Sequence, residues 1–483
     1  MAPRDRAPAS VVILVADGAR PDTLAAAMDA GHLPALARLR AEAGAWTTTS
    51  VFPSVTGPAY APFLTGRYPG PVGLPGIRWY DRARTASRWP AWSRSYVGMD
   101  MRMIATDLDP AAPSLFELEP SHLGALSVIE RGLPRRNRAA RGATFVARAA
   151  LTHFSGHVAG WLGIDRAVAA QVAARVSRER PRFTFCALTG IDKTSHAEGH
   201  AAPVVRDAMR IVDDTAARIR ADAERDGRWD DMHLWVVSDH GHSPVTTHED
   251  LAGLIRSWGV PVRAHPWVFG PGHRAAVMVS GNAMAHVYLE LDRRARPWWP
   301  ALADRWEWLA GRLLDRAATD LLILPVCDGT TEVRARGRGT ARVTAAAGRY
   351  SYRPATGDPL GLGELGDLDA DEAHDATQAS DYPDALVQVA SLASAARSGD
   401  LIVSAARHWD LRARWEPIPH VSSHGALHRE HMLVPLLVNR RPVVAPRRTV
   451  DVFASACHAL GAAVPATDGR SWLPRTEQPS ARG

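Results

Sequence analysis

Apolar runs of strand length recur along this chain, and several of them stop at a carboxylate or an imidazole. VVILVA runs into Asp17, FTFCAL leads into TGIDKTSH, and HLWVVS is followed at once by Asp239 and His240. Helical stretches lie between such runs, and this alternation argues for an α/β fold, a mostly parallel sheet with helices on both faces. Strands are predicted over residues 11–16, 47–52, 125–130, 183–188, 233–238, 321–326, 401–404 and 432–438. Helices are predicted over 34–43, 58–64, 202–223, 300–316 and 450–460. A buried strand ending in a carboxylate is costly unless a cation or a set of donors meets it. In open α/β sheets loops converge outside the carboxyl ends of the strands, so a site with positive charge is expected there.

Two stretches interrupt the rhythm. Residues 135–182 hold ten arginines against Asp165 and Glu179, interleaved with Phe145, Phe154 and Trp161 in the pattern of two amphipathic helices. Further on, short strands such as AVMVSGN and RVTAAAGRYSYRP precede an acidic, glycine-rich loop over 357–384. The organisation this implies is a core over 8–254 with an arginine-rich helical insertion at 131–180, and an inserted cap over 255–395. The core then resumes over 396–476, with a disordered tail at 477–483.

With 46% hydrophobic residues over 483 positions, the chain can bury a large core. Its net charge of +6 comes almost wholly from arginine, Lys193 being the only lysine. That bias speaks for coding composition rather than a binding surface, and no nucleic-acid polymer is expected as a partner, although a basic chain favours anionic ligands. Cys186, Cys327 and Cys457 are far apart, so any metal here must use oxygen and nitrogen ligands. The apolar run near the N-terminus, VVILVA, is too short for a signal peptide or a membrane span, and a cytoplasmic protein is the default expectation.

Five strand ends carry ligand-type residues or a hydroxyl. Asp17 closes the first run, where an aspartate alone reads as a helix cap. In SVFPSVTGPAYAPFLTG, Thr56 precedes Gly57 and Pro58, at or beside a helix N-terminus, with Ser54 as the rival hydroxyl. Asp192 and His196 are four apart, which puts both on one face of a helical turn. Asp239 and His240 end a strand, and His424 in VSSHGALH precedes the last one. Each pair alone reads as a satisfied polar contact. Together, three carboxylates and three imidazoles suffice for two divalent cations with an open position at each, the arrangement used for in-line displacement at phosphorus.

The order and wording of ADGARPD, FPSVTGPAYAPFLTGRYP, GIDKTSH, VSDHG and SSHG resemble the alkaline phosphatase superfamily, and within it the nucleotide pyrophosphatase/phosphodiesterase family. The resemblance spans residues 11–473, including DGRSW near the end, but not the two insertions. It implies an alkaline-phosphatase-like three-layer α/β/α sandwich with an inserted smaller cap domain. It further implies a zinc ion held by Asp192, His196 and His424, a second held by Asp17, Asp239 and His240 beside Thr56, and Thr56 as nucleophile through a phospho-threonine intermediate. Other divalent ions remain possible. The substrate implied is a small phosphate ester, a diester or pyrophosphate of a nucleotide or lipid head group. Phosphomonoester hydrolysis and a non-catalytic zinc-binding scaffold stand as alternatives.

One departure bears on that choice. Family members have an asparagine about twenty residues beyond the nucleophile, in a word like DNxMYD; here GLPGIRWYDR puts Ile77 and Arg78 at that place. Arg78 could grip a phosphate as a bidentate donor or serve as a surface arginine near Asp81. Trp79 and Tyr80 could stack on a base or aryl group, though packing is the commoner use of such a pair. His242 and Lys193 adjoin ligand positions as possible outer donors, and His200, His428 and His431 read as ordinary histidines. The insertion over 135–182 could touch an anionic membrane surface, but a solvated helical pair is the preferred reading. No C/S-x-P-x-R word is present, which disfavours a sulfatase, and a phosphomutase would use serine in place of Thr56. Oligomeric state is left open.

Overall fold

The first strand is hydrophobic on both faces, and such a strand belongs at the centre of a sheet covered on both sides. The computed structural model describes residues 9–82, 93–140, 142–265, 272–412 and 420–474. In it β1 (Ser10–Ala16) turns Val11, Ile13 and Val15 into one core and Val12, Leu14 and Ala16 into the other. Five further strands join it: β2 (Ala45–Thr49), β3 (His122–Ala125), β4 (Phe183–Leu188), β5 (Met232–Val237) and β6 (Leu433–Val438). The order across the sheet is β2-β6-β5-β1-β4-β3, with β6 alone of these six running against the rest.

Helices cover both faces. On one lie α1 (Pro21–Asp29), α2 (Pro34–Ala43), α3 (Gly160–Glu179) and the long amphipathic α5 (Pro203–Arg225), which follows α4 (Gly190–Glu198). On the other lie a short helix at Ala61–Thr65 and α7 (Asp451–Leu460), packed through Phe63, Leu64, Phe453 and Leu460. The result is the three-layer α/β/α sandwich. A second, nine-stranded sheet takes strands from Val262–Ala264 to Leu401–Ala405 and is antiparallel apart from its first pair. With α6 (Ala385–Ala393) it forms a core that also takes in Val51, Phe52 and Ala59, so this sheet grips the loop that carries Thr56.

Several expectations need correction. The strands predicted at 321–326 and 401–404 exist, as Thr319–Cys327 and Leu401–Ala405, but pair with each other in the antiparallel sheet. The strand predicted at 125–130 lies earlier, at His122–Ala125, because Leu126 takes a positive φ of 49° and ends it. The strand predicted at 47–52 stops at Thr49. The acidic stretch 357–384 is not a plain loop: Asp369 and Glu372 form a reciprocal capping box that starts the helix Ala370–Thr377. The insertion does contain two helices, Ala143–Phe154 and α3, but α3 is no solvated element. Its residues Ile164, Val168, Val172 and Val176, spaced four apart, bury against the parallel sheet. The tail predicted to be disordered lies outside the described residues. No helix among the described residues is long and apolar enough to cross a membrane.

Candidate active site

The predicted metal ligands and Thr56 stand at the carboxyl edge of the parallel sheet. Asp17 follows β1, Asp239 and His240 follow β5, and Asp192 and His196 ride on α4, which follows β4. Thr56 lies in the loop after β2, and His424 precedes β6. The chain can turn this tightly after β1 because residue 18 is glycine. Gly18 has φ +79°, and a Cβ there would lie 2.9 Å from His242 Nε2 and 3.0 Å from Asp192 Cα.

The six side chains meet. Asp192 Oδ1 lies 3.2 Å from His196 Nε2, 3.4 Å from His424 Nε2 and 3.0 Å from His242 Nε2. His240 Nε2 lies 3.5 Å from Asp17 Oδ1 and 3.4 Å from Asp239 Oδ2, and its ring stacks on that of His424 at 3.6 Å. The Thr56 hydroxyl sits 3.3 Å from Asp17 Oδ1 and 3.1 Å from His240 Nε2. It is partly accessible, whereas the carboxylates are buried. The rival hydroxyl, Ser54, is fully buried and donates to the main-chain oxygen of Ala426.

Two groups have ligand atoms close enough to share an ion: Asp192, His196, His242 and His424, and Asp17, Asp192 and His240. Three imidazoles are set in the tautomer a metal requires. His196 Nδ1 faces the carbonyl of Ser422 at 2.9 Å, His424 Nδ1 that of Ser54 at 2.9 Å, and His240 Nδ1 that of Gly241 at 3.1 Å. A carbonyl only accepts, so each Nδ1 carries the hydrogen and each Nε2 presents a lone pair to the cluster. Asp239 Oδ2 is buried with no hydrogen-bond partner among the described residues, an acceptor left for a cation. This nitrogen and oxygen donor set fits zinc.

Electrostatics point the same way. Burial, then the nearby Asp239 and Asp192, push the Asp17 carboxyl well above its ordinary range, and burial also raises Asp239. For Asp192 burial acts upward too, but Lys193, 2.8 Å from Oδ2, and His196 outweigh it and hold the pKa well below the usual value. Burial lowers His242 to about 3 and takes His424 well below the ordinary imidazole value. Burial and mutual repulsion thus work against ionising Asp17 and Asp239 together, a penalty that a divalent cation among them would offset.

The other sequence candidates have different surroundings. Arg78 is buried, with described bonds from Nε to Ser95 Oγ and from Nη1 to the Val279 carbonyl. Trp79 is fully buried edge-on to Tyr96, and the Tyr80 hydroxyl donates to the Leu291 carbonyl. The Ile77 amide donates to Ser280 Oγ. Sequence reasoning left out Tyr60, whose hydroxyl donates to Asp17 Oδ2 at 2.7 Å, and it set His242 outside the cluster. The position of Tyr60, four residues beyond Thr56 at the start of a helical segment, was the available signal for it.

The sequence model for type I phosphodiesterase / nucleotide pyrophosphatase matches residues 11–301. No curated protein sequence matches significantly. Among solved structures, the phosphonoacetate hydrolase of Sinorhizobium meliloti 1021 in complex with phosphonoformate is similar at a TM-score of 0.57 and 17% identity, over 94% of this chain and 96% of that one. Murine ectonucleotide pyrophosphatase / phosphodiesterase 5 in complex with AMP is similar at 0.56 and 13% identity, over 96% and 97%. At these identities the likeness speaks for the fold.

Proposed function

The chain belongs to the type I phosphodiesterase / nucleotide pyrophosphatase family, and on that premise we propose that it hydrolyses phosphodiester or pyrophosphate bonds at a two-zinc site with Thr56 as nucleophile. The carrying observation is the placement of one partly accessible hydroxyl, Thr56, within 3.1 Å of His240 Nε2 and 3.3 Å of Asp17 Oδ1, inside a buried set of aspartates and histidines.

In this reading Asp192, His196 and His424 hold one zinc, and Asp17, Asp239 and His240 hold the other beside Thr56. When bound, such ions lower the pKa of a hydroxyl and offset charge on phosphoryl oxygens. Asp17 Oδ1, a carboxylate oxygen with a lone pair beyond the one it would give a metal, accepts the Thr56 hydrogen and orients Oγ1 toward phosphorus. The Oγ1–P bond forms as the bond to the leaving oxygen breaks, and the leaving group departs with a proton. Water then cleaves the phospho-threonine and restores the hydroxyl. Gly18, Tyr60 and the carbonyls of Ser54, Ser422 and Gly241 keep the ligating atoms in place.

The ligands named for the two similar structures, a phosphonate and AMP, share a phosphorus acid group and little else, which supports a phosphoryl site without fixing the rest of the substrate. Nucleotides or lipid head groups fit equally. One observation favours a second reading, phosphomonoester hydrolysis: the Lys193 ammonium, 2.8 Å from Asp192, adds a cation suited to a dianionic monoester.

The test is a panel of bis-p-nitrophenyl phosphate, a nucleotide p-nitrophenyl ester and p-nitrophenyl phosphate on zinc-loaded protein, with acid-quenched samples mapped for phosphate on Thr56. Faster diester turnover with label on Thr56 is expected. Preference for the monoester would favour the second reading, and no turnover of any ester would leave a zinc-binding scaffold without catalysis.

A further inference from the structure

The helix that carries Asp192 and His196 is capped from outside. α4 begins at Gly190, and Thr189 ahead of it makes no side-chain cap bond. Buried amides at a helix start need acceptors. They find them on Asp165, which lies on α3 in the arginine-rich insertion: Oδ1 accepts from the Thr189 N–H at 3.2 Å and Oδ2 from the Gly190 N–H at 2.6 Å. Asp165 is 1% exposed. Burial pushes its pKa up to about 7, against the two amides and Lys193, so the carboxylate is held there at a cost. The fit is close, since a Cβ on residue 190 would lie 2.7 Å from Asp165 Oδ2. Leu162, one turn earlier on α3, would meet that same Cβ at 3.3 Å.

We infer that Asp165 is a positioning residue: it fixes the start of α4 and thereby the approach of Asp192 and His196 to His424. The arginine-rich insertion is on this view part of the scaffold of the metal site, whatever else its surface does. The inference rests on the two-zinc reading for its metal readout, and on the hydrogen bonds alone for its backbone readout.

The experiment compares full-length wild type with Asp165→Ala, Asp165→Asn and Val172→Ala, the last a buried residue two turns along the same helix. Amide hydrogen exchange at Thr189 and Gly190 is read in zinc-free protein, and the two zinc dissociation constants by chelator competition. Asp165→Ala should speed exchange at those amides about 5- to 10-fold, the loss of one cap. It should also weaken one zinc by about 10- to 100-fold and spare the other. Asp165→Asn, which keeps one acceptor oxygen, should fall between and covers the case of a poorly folded alanine variant. Val172→Ala should lower the melting temperature with neither effect. Unchanged exchange in both Asp165 variants, or an equal loss of zinc in Val172→Ala, would overturn the inference. Faster exchange in a protein that binds no zinc at all would uphold the role of Asp165 and remove the two-zinc reading instead.

Discussion

Thr56 is distinguished from the other hydroxyls by what its neighbours can accept. Ser54, two residues away, spends its hydrogen on a main-chain carbonyl, whereas Thr56 faces a carboxylate and an imidazole lone pair. Thr56→Ala should therefore lower kcat by a factor on the order of 10^3 or more with zinc still bound, and Thr56→Ser should keep part of the rate; stopped assays with metal analysis check both. Tyr60→Phe removes the donor to Asp17 Oδ2 and should weaken one zinc by about 10-fold, read by chelator competition. Arg78→Ala should slow monoesters and diesters alike and lower the melting temperature, because its described bonds go to protein groups. At this scale the ligand set was legible in the sequence, since each member sits in a short word at the end of a strand. Tyr60 and Asp165 were not, because their partners, Asp17 and the start of α4, lie 43 and about 25 positions away.

Among the elements, the loop after β2 depends on the second sheet. The Phe52 amide donates to Gln388 Oε1 on α6, Gln388 Nε2 donates to Asp384, and Arg448 pairs with Asp384, all buried. Gln388→Leu would strand the amide and leave Asp384 short of a donor. It should cost about 1–3 kcal/mol, read by denaturant unfolding, and reduce kcat by loosening Thr56. Strands with continuous apolar runs, such as Phe183–Leu188, were readable to the residue. The strand at His122–Ala125 was misplaced because ALSVIE looks more strand-like than HLGA, yet a left-handed residue at 126 ends the pairing. Which sheet a run joins was also hidden. Residues 321–326 and 401–404 are as apolar as any central strand, and only their partners separate them from the parallel sheet.

Over the whole molecule, buried imidazoles set an acid limit. His286 donates from Nε2 to the Pro75 carbonyl and accepts the Gly399 amide on Nδ1, so its neutral form is fully satisfied. Burial lowers its pKa to about 4. The unfolded chain takes up that proton near pH 6.5 and the native one only near 4, so this stability is complete above 6.5 and is lost as pH falls toward 4, up to about 3 kcal/mol. Asp400, raised to about 6 by burial, acts in the opposite sense over part of that range. The clean measurement is the stability difference between wild type and His286→Gln, which should shrink between pH 7.5 and 4.5. The layered α/β/α architecture and the meeting of six distant side chains were foreseeable, because the strand-end words fix where each loop must emerge. The packing of the second sheet onto the Thr56 loop rests on contacts between residues hundreds of positions apart and left no local trace.

The most direct test is a zinc titration of metal-stripped protein, following diester hydrolysis against bound zinc per chain. Turnover should be absent without metal, rise only as the second equivalent binds, and saturate at two. Full activity in the stripped protein, or saturation at a single equivalent, would contradict a reaction in which Asp17, Asp192, His196, Asp239, His240 and His424 hold two ions around Thr56.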